Sequence, residues 1–167
     1  TIYPGSVYQF EMVEEVREMS LEAKSCGIAT VVWSYPRGGN ISKQGETAVD
    51  ITAYAAHLAA QIGANIIKVK PPTDFIEQDE ARKVYESEGI DISTLKARIE
   101  HVMQSTFNGR RIVVFSGGAA KDLDGVFSEI REIAAGGASG SIIGRNTFQR
   151  QPEDAQAMLD HIIKIYQ

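Results

Sequence analysis

The sequence is poor in cysteine. Its 167 residues include one, Cys26. A lone thiol cannot close an internal disulfide, so a reducing, cytoplasmic setting is expected. No histidine lies near Cys26 in sequence, which removes the simplest arrangement for a thiol nucleophile. Histidine is scarce as well: His57, His101 and His161 fall on predicted helices and lack metal-ligand spacing. They read as surface or packing residues. No apolar run approaches the length of a membrane span, and no signal-peptide pattern is visible. There is no excess of positive charge. Seventeen Lys and Arg stand against 22 Asp and Glu, for a formal net charge of −5. Without a basic tract, neither nucleic acid nor a membrane surface is expected as a partner. Linkers, low-complexity segments and short repeats are also missing. The composition, 43% hydrophobic and 23% charged, is that of one globular domain.

What is present alternates between two periods. Residues 8–24 place Met12, Val16, Met19 and Ala23 at helical spacing, and Gly27 stops the run. Residues 28–33 form a β-branched run and are predicted to be a strand. Thr47-Ala48-Val49-Asp50 reads as a capping box. It opens a helix with Ile51, Tyr54, Ala55, Leu58 and Ile62 facing inward, closed by Gly63. A strand over 64–70 follows. Residues 73–108 are polar, with helical pieces predicted near 79–86 and 93–103. The second turns Leu95, Ile99 and Val102 inward. Then come a strand over 111–115, a helix with Leu123, Val126, Phe127, Ile130 and Ile133, and a short strand over 141–143. Pro152 opens the last helix, with Ala155, Met158, Leu159, Ile162 and Ile163 facing inward.

The order is one helix followed by four βα units. Short apolar strands joined by helical crossovers demand parallel pairing with helices outside. An open doubly wound sheet and half of a (β/α)8 barrel both fit. A dinucleotide fold calls for a GxGxxG turn after its first strand and an acidic residue after its second, and neither is found. Four βα units in this length match half a barrel. The opening Thr1-Ile2-Tyr3-Pro4-Gly5-Ser6 reads as the end of a strand, so a preceding region is expected.

The stretch Ala64-Asn65-Ile66-Ile67-Lys68-Val69-Lys70-Pro71-Pro72 concentrates the chemistry. Lys68 and Lys70 lie at i and i+2, on one strand face, and Pro71 ends the ladder. In parallel α/β folds the C-terminal strand ends are where ligands bind. A buried amine beside a second cation tends to lose its proton, and a neutral lysine can form a Schiff base with a carbonyl. Taken alone, the pair reads more readily as two strand-end lysines snorkelling to water. Trp33 and Tyr35 share a parity on the strand before. If they face a barrel interior, Tyr35 stands beside Lys68 as proton donor and acceptor; otherwise it is a core tyrosine. Ser116-Gly117-Gly118 and Gly144-Arg145-Asn146 close the last two strands. Glycine amides and an arginine fork suit an anion, and barrels commonly bind phosphate at these two loops. Plain turn chemistry is the alternative.

Together these residues resemble a known family. Val31-Val32-Trp33-Ser34-Tyr35-Pro36-Arg37-Gly38-Gly39, Gly63-Ala64-Asn65-Ile66-Ile67-Lys68, Ser116-Gly117-Gly118 and Gly144-Arg145-Asn146 look like the archaeal-type class I fructose-bisphosphate aldolases. So does the opening hexapeptide, as the end of strand four. The resemblance implies an α/β fold, a (β/α)8 TIM barrel of which residues 1–167 are the C-terminal half, strands five to eight. It implies a Schiff base at Lys68, proton transfer by Tyr35, and a site shaped by Trp33. Ser116, Gly117, Gly118, Gly144 and Arg145 would hold the C1 phosphate of a phosphorylated sugar substrate. Arg37 is a further candidate for substrate binding, with Lys70 in support. Class I chemistry needs no metal or other cofactor, and the family suggests a large homo-oligomer. Residues 71–109 are longer than in compact archaeal members and resemble a bacterial branch. The family's catalytic aspartate on strand one and its second phosphate site have no counterpart in this sequence.

Overall fold

A computed structural model of the chain describes residues 1–117 and 122–167. Four parallel strands form its centre: β1 (Val31–Trp33), β2 (Ile66–Val69), β3 (Ile112–Ser116) and β4 (Gly140–Ile142), in the spatial order β1-β2-β3-β4. Sequence order and spatial order coincide, as successive βα units require. Helices α1 (Gln9–Ser25), α2 (Val49–Gln61), α3 (Asp79–Ser87), α4 (Leu95–Ser105), α5 (Leu123–Ala135), α6 (Arg145–Phe148) and α7 (Pro152–Ile165) alternate with them along the chain, with a 3-10 turn at Gly45–Thr47. Beyond β1 the sheet gains a further edge. Ile2 pairs with Ser34 in a parallel bridge, as expected of a strand end. No helix of the described residues is long and apolar enough to cross a membrane.

The helices pack on one face of the sheet. Val32, Ile67, Val69, Val113 and Phe115 point into them and are at most 1% exposed. They meet Ala56 and Ala59 of α2, Ile99 and Val102 of α4, and Ile133 of α5, with Met12, Val13 and Val16 of α1 at the margin. Alanine on α2 lets that helix lie close to the strands. Burying each large side chain contributes about 1.5–3 kcal/mol. At the end of α5, a Cβ on Gly136 would fall 2.5 Å from the Cβ of Ile99. That position needs glycine because α4 and the end of α5 nearly touch.

The residues one step along the strands face the other way. Val31, Trp33, Ile112 and Ile142 remain 48%, 43%, 48% and 40% exposed on a face that no described helix covers. Period-2 alternation of this kind gives each strand two different jobs.

Several expectations need correction. The first strand begins at Val31, not at residue 28, and Ile28 is 62% exposed. In α1 the buried position is Ser20, while Met19 is 60% exposed. The Ser20 hydroxyl donates to the Val16 carbonyl at 2.7 Å, which lets a polar residue hold the inner face. The capping box does not form. Ala48 caps α2 without a side-chain bond. Asp50 instead accepts the N–H groups of Glu77 and Gln78 at 3.0 Å each, tying the loop before α3 to α2. Tyr54, Leu123, Leu159 and Ile163 are 46%, 39%, 39% and 55% exposed rather than inward. The short helix α6 was not anticipated at all.

The long segment between β2 and β3 divides as expected. Thr94 caps α4 by accepting Ala97 N–H at 3.1 Å. Tyr85 of α3 shares a small core with Ile76 and with Val49 of α2.

Candidate active site

Register builds the site. Trp33 of β1 is the Cα partner of Lys68 on β2, Lys68 pairs with Val114 of β3, and Val114 pairs with Gly140 of β4. One layer across the sheet is therefore Trp33, Lys68, Val114 and Gly140, with aromatic rings on one flank of the lysine and a small aliphatic wall on the other. The side chains of Trp33, Lys68 and Val114 point to the open face.

The position of β1 is fixed from both sides. Ser34 N–H donates to the Lys68 carbonyl at 2.9 Å, Ile2 N–H donates to the Trp33 carbonyl at 2.9 Å, and Tyr35 N–H donates to the Ile2 carbonyl at 3.1 Å. The Ser34 hydroxyl is turned into the helices, where it donates to the Ala55 carbonyl at 2.8 Å. With Ser34 facing the helices, Trp33 and Tyr35 must face away from them.

Lys68 is 7% exposed. Its Nζ lies 3.9 Å from the centroid of the Trp33 ring and 6.0 Å from that of Tyr35. The two rings are tilted by 46° with centroids 6.0 Å apart. Amine and phenol thus lie on the same side of the sheet. No carboxylate among the described residues comes within ion-pair distance of Lys68. An indole face stabilises a cation by about 0.5–2 kcal/mol, and this holds for an iminium as well as for an ammonium.

Lys70 is placed differently. Past the end of β2, its Nζ is 3.5 Å from Glu46, whose other oxygen accepts from Lys43 at 2.9 Å. The Lys43 hydrogen bond, with the nearby charges of Lys43 and Lys70, holds the Glu46 carboxyl below its usual range. Lys70 is therefore a compensated cation. Arg37 is exposed, with its guanidinium 5.8 Å from the centroid of the Tyr3 ring and its N–H donated to the Pro4 carbonyl at 2.8 Å. Next to it Gly38 has φ +129°, and a Cβ there would fall 2.3 Å from the Gly5 carbonyl oxygen. Only glycine lets this loop lie against the opening segment. Sequence reasoning missed both Glu46 and Tyr3. Each lies more than 20 residues from the cation it serves, and no local pattern marks it.

The phosphate-loop candidates sit at the C-terminal ends of β3 and β4. Ser116 is on the open face, paired with Ile142. Gly117 N–H is already engaged, donating to the Ile142 carbonyl at 3.0 Å. Gly118 lies outside the described residues. Gly144 caps α6, and Arg145 is exposed without an ion-pair partner among the described residues. His57 Nδ1 donates to the Ser105 carbonyl at 2.7 Å, His101 meets the Tyr85 hydroxyl at 2.6 Å, and His161 stacks on Phe127. All three are on helices, away from the lysine face. No group of three His, Cys, Asp or Glu among the described residues is placed to hold a metal ion.

Comparison with known proteins bears directly on this geometry. The sequence model of the DeoC/LacD aldolases matches residues 1–150. The class 1 fructose-bisphosphate aldolase of Thermoproteus tenax is 33% identical over 152 residues, which cover 90% of this chain and 48% of that protein. A protein of Methanocaldococcus jannaschii described as fructose-bisphosphate aldolase/6-deoxy-5-ketofructose 1-phosphate synthase is 32% identical, covering 99% of this chain and 46% of its own length. Among solved structures, an archaeal fructose-1,6-bisphosphate aldolase with its catalytic lysine bound to the carbinolamine intermediate superposes with a TM-score of 0.75 at 27% identity. That match covers 96% of this chain and 55% of the other. The chain spans about half the length of the curated relatives it matches. The motif resemblance, the parallel sheet and these matches agree, and the chain belongs to the DeoC/LacD family of aldolases.

Proposed function

We propose that the chain supplies the catalytic lysine of a class I aldolase that reversibly cleaves fructose 1,6-bisphosphate to dihydroxyacetone phosphate and glyceraldehyde 3-phosphate. One observation carries the reading. Lys68 Nζ is nearly buried on the open face, unpaired with any described carboxylate, 3.9 Å from the Trp33 ring centroid and with Tyr35 beside it. Residues 1–167 correspond in this reading to the C-terminal half of one (β/α)8 barrel. Ile2 ends strand four, and β1 to β4 are strands five to eight. The open face is then barrel interior.

The chemistry follows from the amine. Lys68 attacks the ketose C2, water leaves, and an iminium forms. The C3–C4 bond breaks with its electron pair drawn into the iminium, the C4 hydroxyl gives up its proton, and the aldehyde departs. The Tyr35 hydroxyl returns a proton to C3 of the resulting enamine, and hydrolysis frees the ketone and the amine. Trp33 offers its ring face to the cationic intermediate. Ser116, Gly144 and Arg145 hold the C1 phosphate, with Arg37 as a second cation on the same side of the molecule. The working enzyme is a homo-oligomer.

Borohydride reduction tests this. Treating the full-length protein with substrate and sodium borohydride should add a reduced triose-phosphate mass to the Lys68 peptide, and an unmodified Lys68 peptide overturns the mechanism. The dual description of the Methanocaldococcus jannaschii relative favours one second reading, a sister Schiff-base enzyme acting on another phosphosugar. Cleavage rates across several sugar phosphates separate the two.

A further inference from the structure

At the opposite end of β2 from Lys68, a cavity of about 530 Å³ opens between the last turns of α1 and α2 and the start of β3. Small-ligand sites typically run from about 300 to 1,000 Å³. Three cations line it, Arg17, Lys24 and Arg111, and no carboxylate is among its lining residues. In a chain with five more acids than bases, that is a local reversal of sign.

The plain explanation is that the cations balance helix C-termini, each worth about half a negative charge. The two helix ends account for about one cation by that measure. Glu14, bonded to Arg17 Nε at 3.0 Å, accounts for another. One unit of positive charge is left over, on Lys24 and Arg111, neither of which has an ion-pair partner among the described residues.

The donors are also prearranged. The Arg111 guanidinium lies 5.5 Å from the Phe107 ring centroid, and one of its nitrogens donates to the Arg110 carbonyl at 3.1 Å. The rest of its fork is free to bind. Asn65 uses its carboxamide oxygen to accept Thr30 N–H at 2.9 Å. That bond fixes the amide's orientation and leaves its NH2 group as the donor at the cavity. Leu21, Ile62 and Ala64 add apolar wall.

We propose that this cavity binds a phosphate ester, with the phosphate between Lys24, Arg111 and the Asn65 NH2 group and the body of the ligand against the apolar wall. It lies at the N-terminal ends of the strands, so it is separate from the lysine site at the other end. Nothing in the inference requires the aldolase reading.

Calorimetry on the full-length protein at 150 mM salt tests it, with inorganic phosphate and adenosine monophosphate as probes. Saturable binding, at least about tenfold tighter for the nucleotide, is expected. Equal or weaker nucleotide binding overturns the ester assignment. Asn65→Asp keeps the acceptor for Thr30 N–H and replaces the donor with a negative charge, so it should leave the melting temperature unchanged and weaken binding at least tenfold. The double variant Lys24→Gln/Arg111→Gln should do the same. Hydrogen exchange should slow at residues 60–65 when the nucleotide is bound. Absence of saturable binding, or binding indifferent to both variants and lost instead in Arg145→Gln, overturns the proposal.

Discussion

On one face of the sheet Val32, Ile67, Val69, Val113 and Phe115 are at most 1% exposed, while on the other Val31, Trp33 and Ile112 keep 48%, 43% and 48%. The two sets come from the same strands, one position apart. The covered face is uniformly aliphatic or phenyl, selected for shape against α2, α4 and α5. The open face mixes rings, aliphatics, a lysine and a serine at the strand ends. Its members are aligned by backbone register more than by packing against one another. A position on the covered face can be replaced by another apolar side chain of the right volume, whereas the role proposed for Lys68 on the open face rests on its nitrogen.

The contrast can be broken most severely at that nitrogen. Lys68→Met should lower kcat for fructose 1,6-bisphosphate cleavage by on the order of 10⁴-fold or more and leave the melting temperature nearly unchanged. A variant that retains substantial activity removes Lys68 from the chemistry. Tyr35→Phe should lower kcat by about 10²–10⁴-fold, with borohydride trapping at Lys68 preserved. Loss of trapping would instead make Tyr35 part of amine addition. The covered face should respond in the opposite way. Ile67→Ala is expected to cost about 2–5 kcal/mol in denaturant unfolding; Val31→Ala should cost about 0.5 kcal/mol in residues 1–167 taken alone and more in the full-length protein, where that face is barrel interior. A Val31→Ala cost that stays the same in the full-length protein counts against that face being barrel interior.

The smallest expected effect lies away from both faces. Burial holds the His101 imidazole below its usual pKa, next to a Tyr85 phenol that desolvation and the Asp50 charge keep protonated. The unfolded chain therefore takes up a proton near the ordinary histidine value of about 6.5 while the folded protein does not. The contribution to stability is full above that pH and is lost as pH falls toward the lower folded value. His101→Gln should flatten the decline in unfolding midpoint between about pH 7 and 5; an unchanged decline assigns it to other groups.

Much of the fold was legible in the sequence because buried parallel strands carry their own signature. Ile66, Ile67 and Val69 form an apolar run with one polar interruption, and that interruption lies with Ile66 on the open face. Trp33 and Tyr35 could be placed together by parity alone. What escaped was decided by partners distant in sequence. Asp50 reads as a cap from its local spacing, yet it binds amides 27 and 28 residues later. Lys70 reads as a second site cation, yet Glu46 claims it. Gly117 reads as an anion-binding amide, yet its N–H completes the pairing with β4. Helix α6, four residues long, is too short to show a period.

Trp33 is the sole tryptophan in the chain, and its ring lies 3.9 Å from Lys68 Nζ. Within residues 1–167, intrinsic fluorescence excited at the indole band therefore comes from a single known location. An ammonium, a neutral amine and an iminium quench an indole to different degrees, so the emission should report the state of the Lys68 nitrogen without any added label. The ring that lies over the nitrogen would make its chemical state visible in a stopped-flow cuvette.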